Sequence, residues 1–229
     1  MMTVKEAKRI TGGIGFTKKT GMSFGLPAVI SCRVGSKLAK VAGSVCSGCY
    51  ACSGKYGIPN VRACQLERYK AVQRLHEPEF HLKWIDAMVL LISNKNETLD
   101  EEKGYFRWHD SGDLTSMHYL KAIIAVAKRL PKIKFWLPTK EVKIIEAFHN
   151  QSIRTHLRIP SNLCIRLSSY MIDEETKFKG LNLPVSNVHT DKPLGFACPA
   201  IEAHSGCAAL GCRRCWSKRT RAVSYKVHR

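Results

Sequence analysis

Cys198, Cys207, Cys212 and Cys215 put four thiols into eighteen residues, in the stretch CPAIEAHSGCAALGCRRCW. Four thiolates in one short segment can enclose a zinc ion or an iron–sulfur cluster. Zinc knuckles use two CxxC pairs, and here only Cys212 and Cys215 form one. The looser spacings upstream suit a larger object whose corners lie further apart, with Pro199 and Gly206 letting the chain bend around it. The spacing thus marks a metal site strongly and leaves a [4Fe–4S] cluster and zinc both open. His204 could replace one thiolate, although a surface position is the commoner fate of such a histidine.

A second group, Cys46, Cys49 and Cys52 in CSGCYAC, has Cys32 upstream. CxxCxxC resembles the opening of a ferredoxin-type cluster motif. It is not the CxxxCxxC loop of radical-SAM enzymes. Cys64 and Cys164 fall on apolar faces of a helix and a strand, and both are expected as buried core thiols.

The opening MMTVKEAKRITGGIGF has no apolar run of signal-peptide length, and no stretch approaches a membrane span. A cytoplasmic protein without disulfides is expected, because thiols stay reduced there and 229 residues can bury a core without staples. Composition agrees: 45% hydrophobic and 24% charged residues describe a globular chain rather than a disordered one.

Charge is the other strong signal, 37 Lys and Arg against 18 Asp and Glu, net +19. Residues 1–57 hold nine basic groups and one acid, and residues 191–229 hold eight and two. These two segments also carry eight of the ten cysteines. A field concentrated in this way favours polyanions, and nucleic acid is the partner expected.

The elements that must position these groups occupy residues 58–190. Val61, Cys64, Tyr69, Val72 and Leu75 predict a helix between Pro59 and Pro78, and the apolar run from Pro78 predicts a second. GYFRWHD, IKFWLPT and LCIRLSS are strand-like and start 29 and 30 residues apart, with helical patterns between them. Met117, Leu120, Ile124 and Ala127 make one helical stripe, and KEVKIIEAFHN with Thr139 as a possible cap makes the next. Roughly thirty residues per repeat is the length of a strand–helix–strand crossover, which makes parallel sheets. LPVSNVHT adds a fourth strand. The expectation is an α/β fold, a small or incomplete TIM-like (β/α) barrel. It would be one domain, 1–229, with Cys-rich N- and C-terminal segments flanking a β/α core.

In such a fold, chemistry belongs at the C-terminal strand ends. Those ends read RWHDSGD, LPTK and RLSS. Arg107 and His109, two apart, should share a face of their strand, with Asp110 and Asp113 in the following turn. Thr139 and Lys140 end the second strand, and Arg166 and Ser168 share a face on the third. Arg107, His109 and Arg166 together suggest one anionic site. For Asp113 and Ser116 the alternative is capping of the following helix. Trp216 and Tyr225 could stack on unpaired bases. The preferred expectation is that Trp216 packs on the metal site and that the last ten residues form a mobile basic tail.

SFGLPAVISC, CSGCYACSGKYG, FRWHDSGDLTSMHYLKAI, KFWLPTK and CPAIEAHSGCAALGCRRCW occur in the order found in bacteriophage gene-product-88-like proteins. The chain resembles that family over roughly residues 22–217. The resemblance implies a phage protein carrying an iron–sulfur cluster on a TIM-barrel-like scaffold. Arg107, Ser111, Gly112 and Asp113 match its strand-end motif, and Cys198, Cys207, Cys212, Cys215 and Trp216 its terminal one. Cys32, Cys46, Cys49 and Tyr50 match its first motif, from which Cys52 departs.

Three functions are expected in this order. The first is an iron–sulfur protein acting on nucleic acid, a nuclease with Arg107 on the phosphate, His109 as acid/base and a divalent cation on Asp110 and Asp113. The second is a radical-SAM-like redox enzyme using Cys46, Cys49 and Cys52. The third is a non-catalytic nucleic-acid-binding protein stapled by zinc or a cluster.

Overall fold

The computed structural model describes residues 1–100, 102–155 and 157–227. Helices α1 (Val4–Thr11), α2 (Arg33–Leu38), α3 (Pro59–Gln73), α4 (Pro78–Glu97), α5 (Met117–Arg129), α6 (Val142–Thr155) and α7 (Pro199–Glu202) surround one sheet. Its strands are β1 (Gly15–Thr17), β2 (Gly21–Phe24), β3 (Tyr105–Trp108), β4 (Lys134–Thr139), β5 (Leu163–Ser168), β6 (Val185–His189), β7 (Phe196–Ala197) and β8 (Ala222–Lys226). Their spatial order is β1-β2-β3-β4-β5-β6-β8-β7. Only the β1–β2 hairpin is antiparallel; every other neighbouring pair is parallel. Among the described residues no ladder joins β1 to β7, so strand pairing leaves the sheet open.

The four strands anticipated at 105, 134, 163 and 183–190 are β3 to β6. Local chemistry explains the helix starts. Thr3 and Glu6 form a capping box for α1, Pro59 and Pro78 open α3 and α4, and Ser116 Oγ accepts from Tyr119 N at 3.1 Å to cap α5. The supposed mobile tail is largely a strand. β8 pairs with β6 from Ala222 to Lys226 and buries Val223, so the backbone bonds of residues 222–226 are committed to the sheet. Residues 228 and 229 lie outside the described residues.

Register sorts the strand side chains onto two faces. Phe106 and Trp108 align with Phe24, Phe135 and Leu137 on the face covered by α4 and α5. There Trp108 stacks with Trp84 at 6.3 Å and meets Tyr119 edge-on, fixing the end of β3 in a rigid aromatic cluster. The opposite face carries Tyr105, Arg107, Trp136, Cys164, Arg166, Val223 and Tyr225. It is covered by the segment running from Cys198 to Thr220, which includes α7 and the 3₁₀ turn Arg214–Trp216.

That covering segment is held at several points. Cys207 N donates to Lys19 O at 2.7 Å beside β2, and Cys198 N donates to Ser224 O at 2.9 Å in β8. Trp216 Nε1 donates to Phe106 O at 2.9 Å. One apolar cluster joins Tyr105 of β3, Trp136 of β4 and Val223 and Tyr225 of β8 with Cys198, Cys207, Cys215 and Trp216. Flat neighbouring strands lie about 4.8 Å apart, so β3 and β8, four positions apart in the order, meet in one cluster only because the sheet curves.

Candidate functional site

The C-terminal cysteines converge on the curved face. Cys207 and Cys215 are buried, Cys198 and Cys212 half-buried, and all ten cysteines of the chain are free thiols. Burial pushes the Cys215 thiol up to about 12, opposed by the bond from Tyr225, whose hydroxyl lies 3.1 Å from Cys215 Sγ. Burial also raises Cys198, against the pull of the Ala200 and Ile201 amides. Cys207 is raised by burial first and then by the nearby Cys198 and Cys212. The four thiols thus lie within electrostatic reach of one another. Among the described residues, no group of three or more His, Cys, Asp and Glu is arranged to hold a metal ion. A single zinc ion needs every sulfur about 2.3 Å from one point, whereas cluster irons are spread over a larger volume. Four converging thiols suit either group by donor type. His204 is exposed.

Trp216 and Tyr225 belong to this buried cluster, which removes them as base-stacking platforms. Arg166 is also reassigned. It is fully buried, and its guanidinium donates to the carbonyls of Val185 at 2.7 Å, Arg214 at 3.3 Å, Ser217 at 3.1 Å and Thr220 at 3.0 Å. It clamps the Cys-rich segment to the sheet and does not share an anion site with Arg107.

At the end of β3 the expected shared face of Arg107 and His109 does not form. His109 has φ 52°, in the left-handed region, which breaks the strand alternation and turns the ring toward the helices. Its Nδ1 lies 3.3 Å from Pro138 O and its Nε2 3.2 Å from Tyr119 Oη. A carbonyl only accepts, so Nδ1 carries the proton and Nε2 accepts from Tyr119. Burial lowers this histidine to about 4, so it is neutral near pH 7. Both ring nitrogens are engaged inside the protein.

Arg107 stays on the curved face, 4.6 Å above the Trp136 ring. Its Nη2 makes only long bonds, 3.5 Å to Tyr50 Oη and 3.4 Å to His109 O, and its Nε is buried without a partner. Burial works against its charge, but Tyr50, Asp110, Tyr225 and Tyr56 around it raise its pKa overall. Asp110 is buried, its Oδ2 accepting from Tyr56 Oη at 3.2 Å, while Oδ1 has no partner. Tyr50 Oη donates to Asp110 O at 2.7 Å.

Asp113 does not cap α5. Its Oδ1 accepts from Thr139 Oγ1 at 2.6 Å and Leu114 N at 2.7 Å, and its Oδ2 from Lys140 N at 2.8 Å, tying the ends of β3 and β4 together. Burial raises its pKa despite those bonds. Gly112, at φ 76°, is required in this turn: a side chain there would meet Ser31 Oγ at 2.5 Å and Leu26 Cβ at 2.6 Å.

The N-terminal cysteine loop arches over these strand ends. Val45 N donates to Tyr170 O at 2.9 Å and Ile172 N to Gly43 O at 3.0 Å beyond β5. Glu141, a residue that sequence reasoning missed, accepts from Val34 N at 2.8 Å and fastens the start of α2 just after Cys32. Burial pushes Cys32 up to about 12, with the Asp113 charge adding to it, and raises Cys46. Cys52 is exposed at the far end of the short 3₁₀ turn Tyr50–Cys52. Cys64 is exposed, contrary to expectation, because α3 buries Gln65, Ala71 and Val72 instead; Cys164 is buried as expected.

Among the described residues no helix is long and apolar enough to cross a membrane. A family model described as Gene product 88 matches residues 2–218 of the chain. No curated protein and no solved structure matches it.

Proposed function

The chain belongs to the gene product 88 family, and on that premise we propose that it is a phage iron–sulfur protein acting on nucleic acid as a nuclease. The scaffold in this reading is an incomplete (β/α) barrel of a single domain, working in the host cytoplasm. Cys198, Cys207, Cys212 and Cys215 would hold the cluster, which supplies a rigid staple and an oxidation-sensitive group where the sheet does not close.

The observation that carries the reading is the pair of unpartnered buried atoms at the end of β3, Arg107 Nε and Asp110 Oδ1. Leaving a buried polar atom unpaired costs about 1–3 kcal/mol, and more for a charged group, so two at one strand end favour a ligand that satisfies both. A phosphate would take the guanidinium edge, and a divalent cation the carboxylate oxygen. Charge supports the same substrate class: the Lys18–Lys19 turn adjoins the Cys207 segment, and Arg213 and Arg214 lie over Tyr105 and Phe196, 4.5 Å and 5.1 Å from the ring centroids.

The roles differ from the pattern first expected. His109, with both nitrogens engaged, positions the turn; Asp113 braces β3 against β4; Arg107 and Asp110 face the substrate. Arg107 orients a phosphate and stabilises charge developing on it, and Asp110 holds a divalent cation or its water. The test is cleavage of single-stranded and duplex nucleic acid by anaerobically purified protein, with and without Mg²⁺ or Mn²⁺. Cleavage that requires the ion, falls at least a hundredfold in Asp110→Asn and leaves binding within about threefold supports the reading. Binding without cleavage under every condition would contradict it and favour a non-catalytic binding protein.

A further inference from the structure

Two carboxylates above the sheet are buried, with the Lys140 and Arg33 charges within electrostatic reach, and the chain places three thiols beside them. Asp113 and Glu141 are 6% and 5% exposed, and neither enters an ion pair among the described residues. Cys32, Cys46 and Cys49 are half-buried in the same place. Their loop is pinned beyond β5 by Tyr170, beyond β4 by Glu141, and beyond β3 by the bond from Tyr50 to Asp110.

We propose that Cys32, Cys46 and Cys49 form a second thiophilic metal site of the iron–sulfur class at the C-terminal rim of the sheet, separate from the four C-terminal cysteines.

Gly35 supplies the most direct geometric support. A side chain there would begin 3.5 Å from Cys46 Sγ and 3.9 Å from Cys32 Sγ, and 3.0 Å from Cys32 Cβ. Both sulfurs therefore lie within 4 Å of one point beside the first turn of α2. Cys49 lies within electrostatic reach of Cys32 and of Cys46, and Asp113 within reach of the same two. Cys52 is hydrogen-bonded to Cys49 and within electrostatic reach of Cys46, but it is exposed, so it stands at the edge of the half-buried set.

The backbone leading into the site is strained. Val29, three residues before Cys32, has φ 68°, a conformation that is a genuine outlier for a β-branched residue. Strain of this kind costs roughly 1–3 kcal/mol and persists only where the surroundings over-determine it. Three thiols leave one corner of a four-iron cluster without a cysteine. That distinguishes this site from the C-terminal set, which has four.

The test uses the full chain purified without oxygen, with iron, acid-labile sulfide and zinc measured per chain. Variants are Cys46→Ser with Cys49→Ser, Cys207→Ser with Cys212→Ser, Cys52→Ser, and Gly35→Ala. Gly35→Ala improves helix propensity, so a folded protein is expected, checked by circular dichroism. The Cys46/Cys49 pair should lose about four irons and four sulfides while the remainder persists. Gly35→Ala should lose part of the same iron, and Cys52→Ser none. Unchanged iron in the Cys46/Cys49 pair, equal loss in Cys52→Ser, or near-equimolar zinc lost in place of iron would overturn the proposal. Iron lost only with Cys207 and Cys212 would overturn it while leaving the proposed cofactor intact. Iron lost only with Cys46 and Cys49 would support it and remove that cofactor, and no iron at all would refute both.

Discussion

Tyr119 Oη donates to His109 Nε2 at 3.2 Å, locking a neutral imidazole into the core beneath the end of β3. Burial holds this histidine at about 4, below the 6.5 of an unperturbed imidazole. The unfolded chain therefore binds the proton more readily than the folded one. The stability involved is fully present above pH 6.5 and is lost as pH falls toward 4, amounting to about 3 kcal/mol. Asn tolerates the left-handed backbone of this position. Denaturant titrations of His109→Asn should show a flatter dependence of stability on pH between 6.5 and 4 than the parent protein; equal slopes would mean that His109 is not the titrating group.

Arg166 predicts a stability effect with a local signature. Lysine offers a point charge and cannot serve four carbonyls as the guanidinium fork does. Arg166→Lys should lower stability by roughly 2–4 kcal/mol, since buried acceptors lose their donors. Limited proteolysis should then cut first within residues 206–220. Cutting elsewhere, or unchanged stability, would count against the clamp.

The Tyr225 hydroxyl on Cys215 bears on electron affinity. A hydrogen bond to a ligating sulfur favours the reduced cluster. Tyr225→Phe should keep its iron and titrate at a lower reduction potential than the parent. An unchanged midpoint would place the hydroxyl outside the cofactor's surroundings.

Phosphate contact by the Arg213 surface is measurable through salt. Arg213→Ala should weaken binding of any nucleic-acid sequence to a similar degree and reduce the slope of log affinity against log salt by about one. Loss confined to one sequence would indicate base recognition instead.

Much of the scaffold was legible because its signals are local. The 29-residue spacing of Tyr105, Lys134 and Leu163 marked parallel crossovers, and Pro59, Pro78 and Ser116 marked helix starts. The short strands β1, β2, β7 and β8 were not legible: β3 is as short, but the 29-residue repeat marks it, and these four lie outside that repeat. The site was half readable. Thiol spacing drew attention to both cysteine groups, but the left-handed turn at His109 reverses a face without any sequence signal. Arg166 reads as a ligand until its carbonyl partners, up to 54 residues away, are seen. Glu141 gave no hint, because its bond to Val34 N spans 107 residues. Its neighbour Asp113 was visible in the Ser-Gly-Asp turn, yet its role in joining β3 to β4 was not.

The most direct test of the cofactor at the centre of this account is iron, acid-labile sulfide and zinc per chain after anaerobic purification, together with the visible spectrum. The parent protein should carry iron and sulfide in equal amounts, with a broad thiolate-to-iron band, and Cys207→Ser with Cys212→Ser should lose about four of each. A colourless protein with near-equimolar zinc, or iron content unaffected by those substitutions, would contradict it.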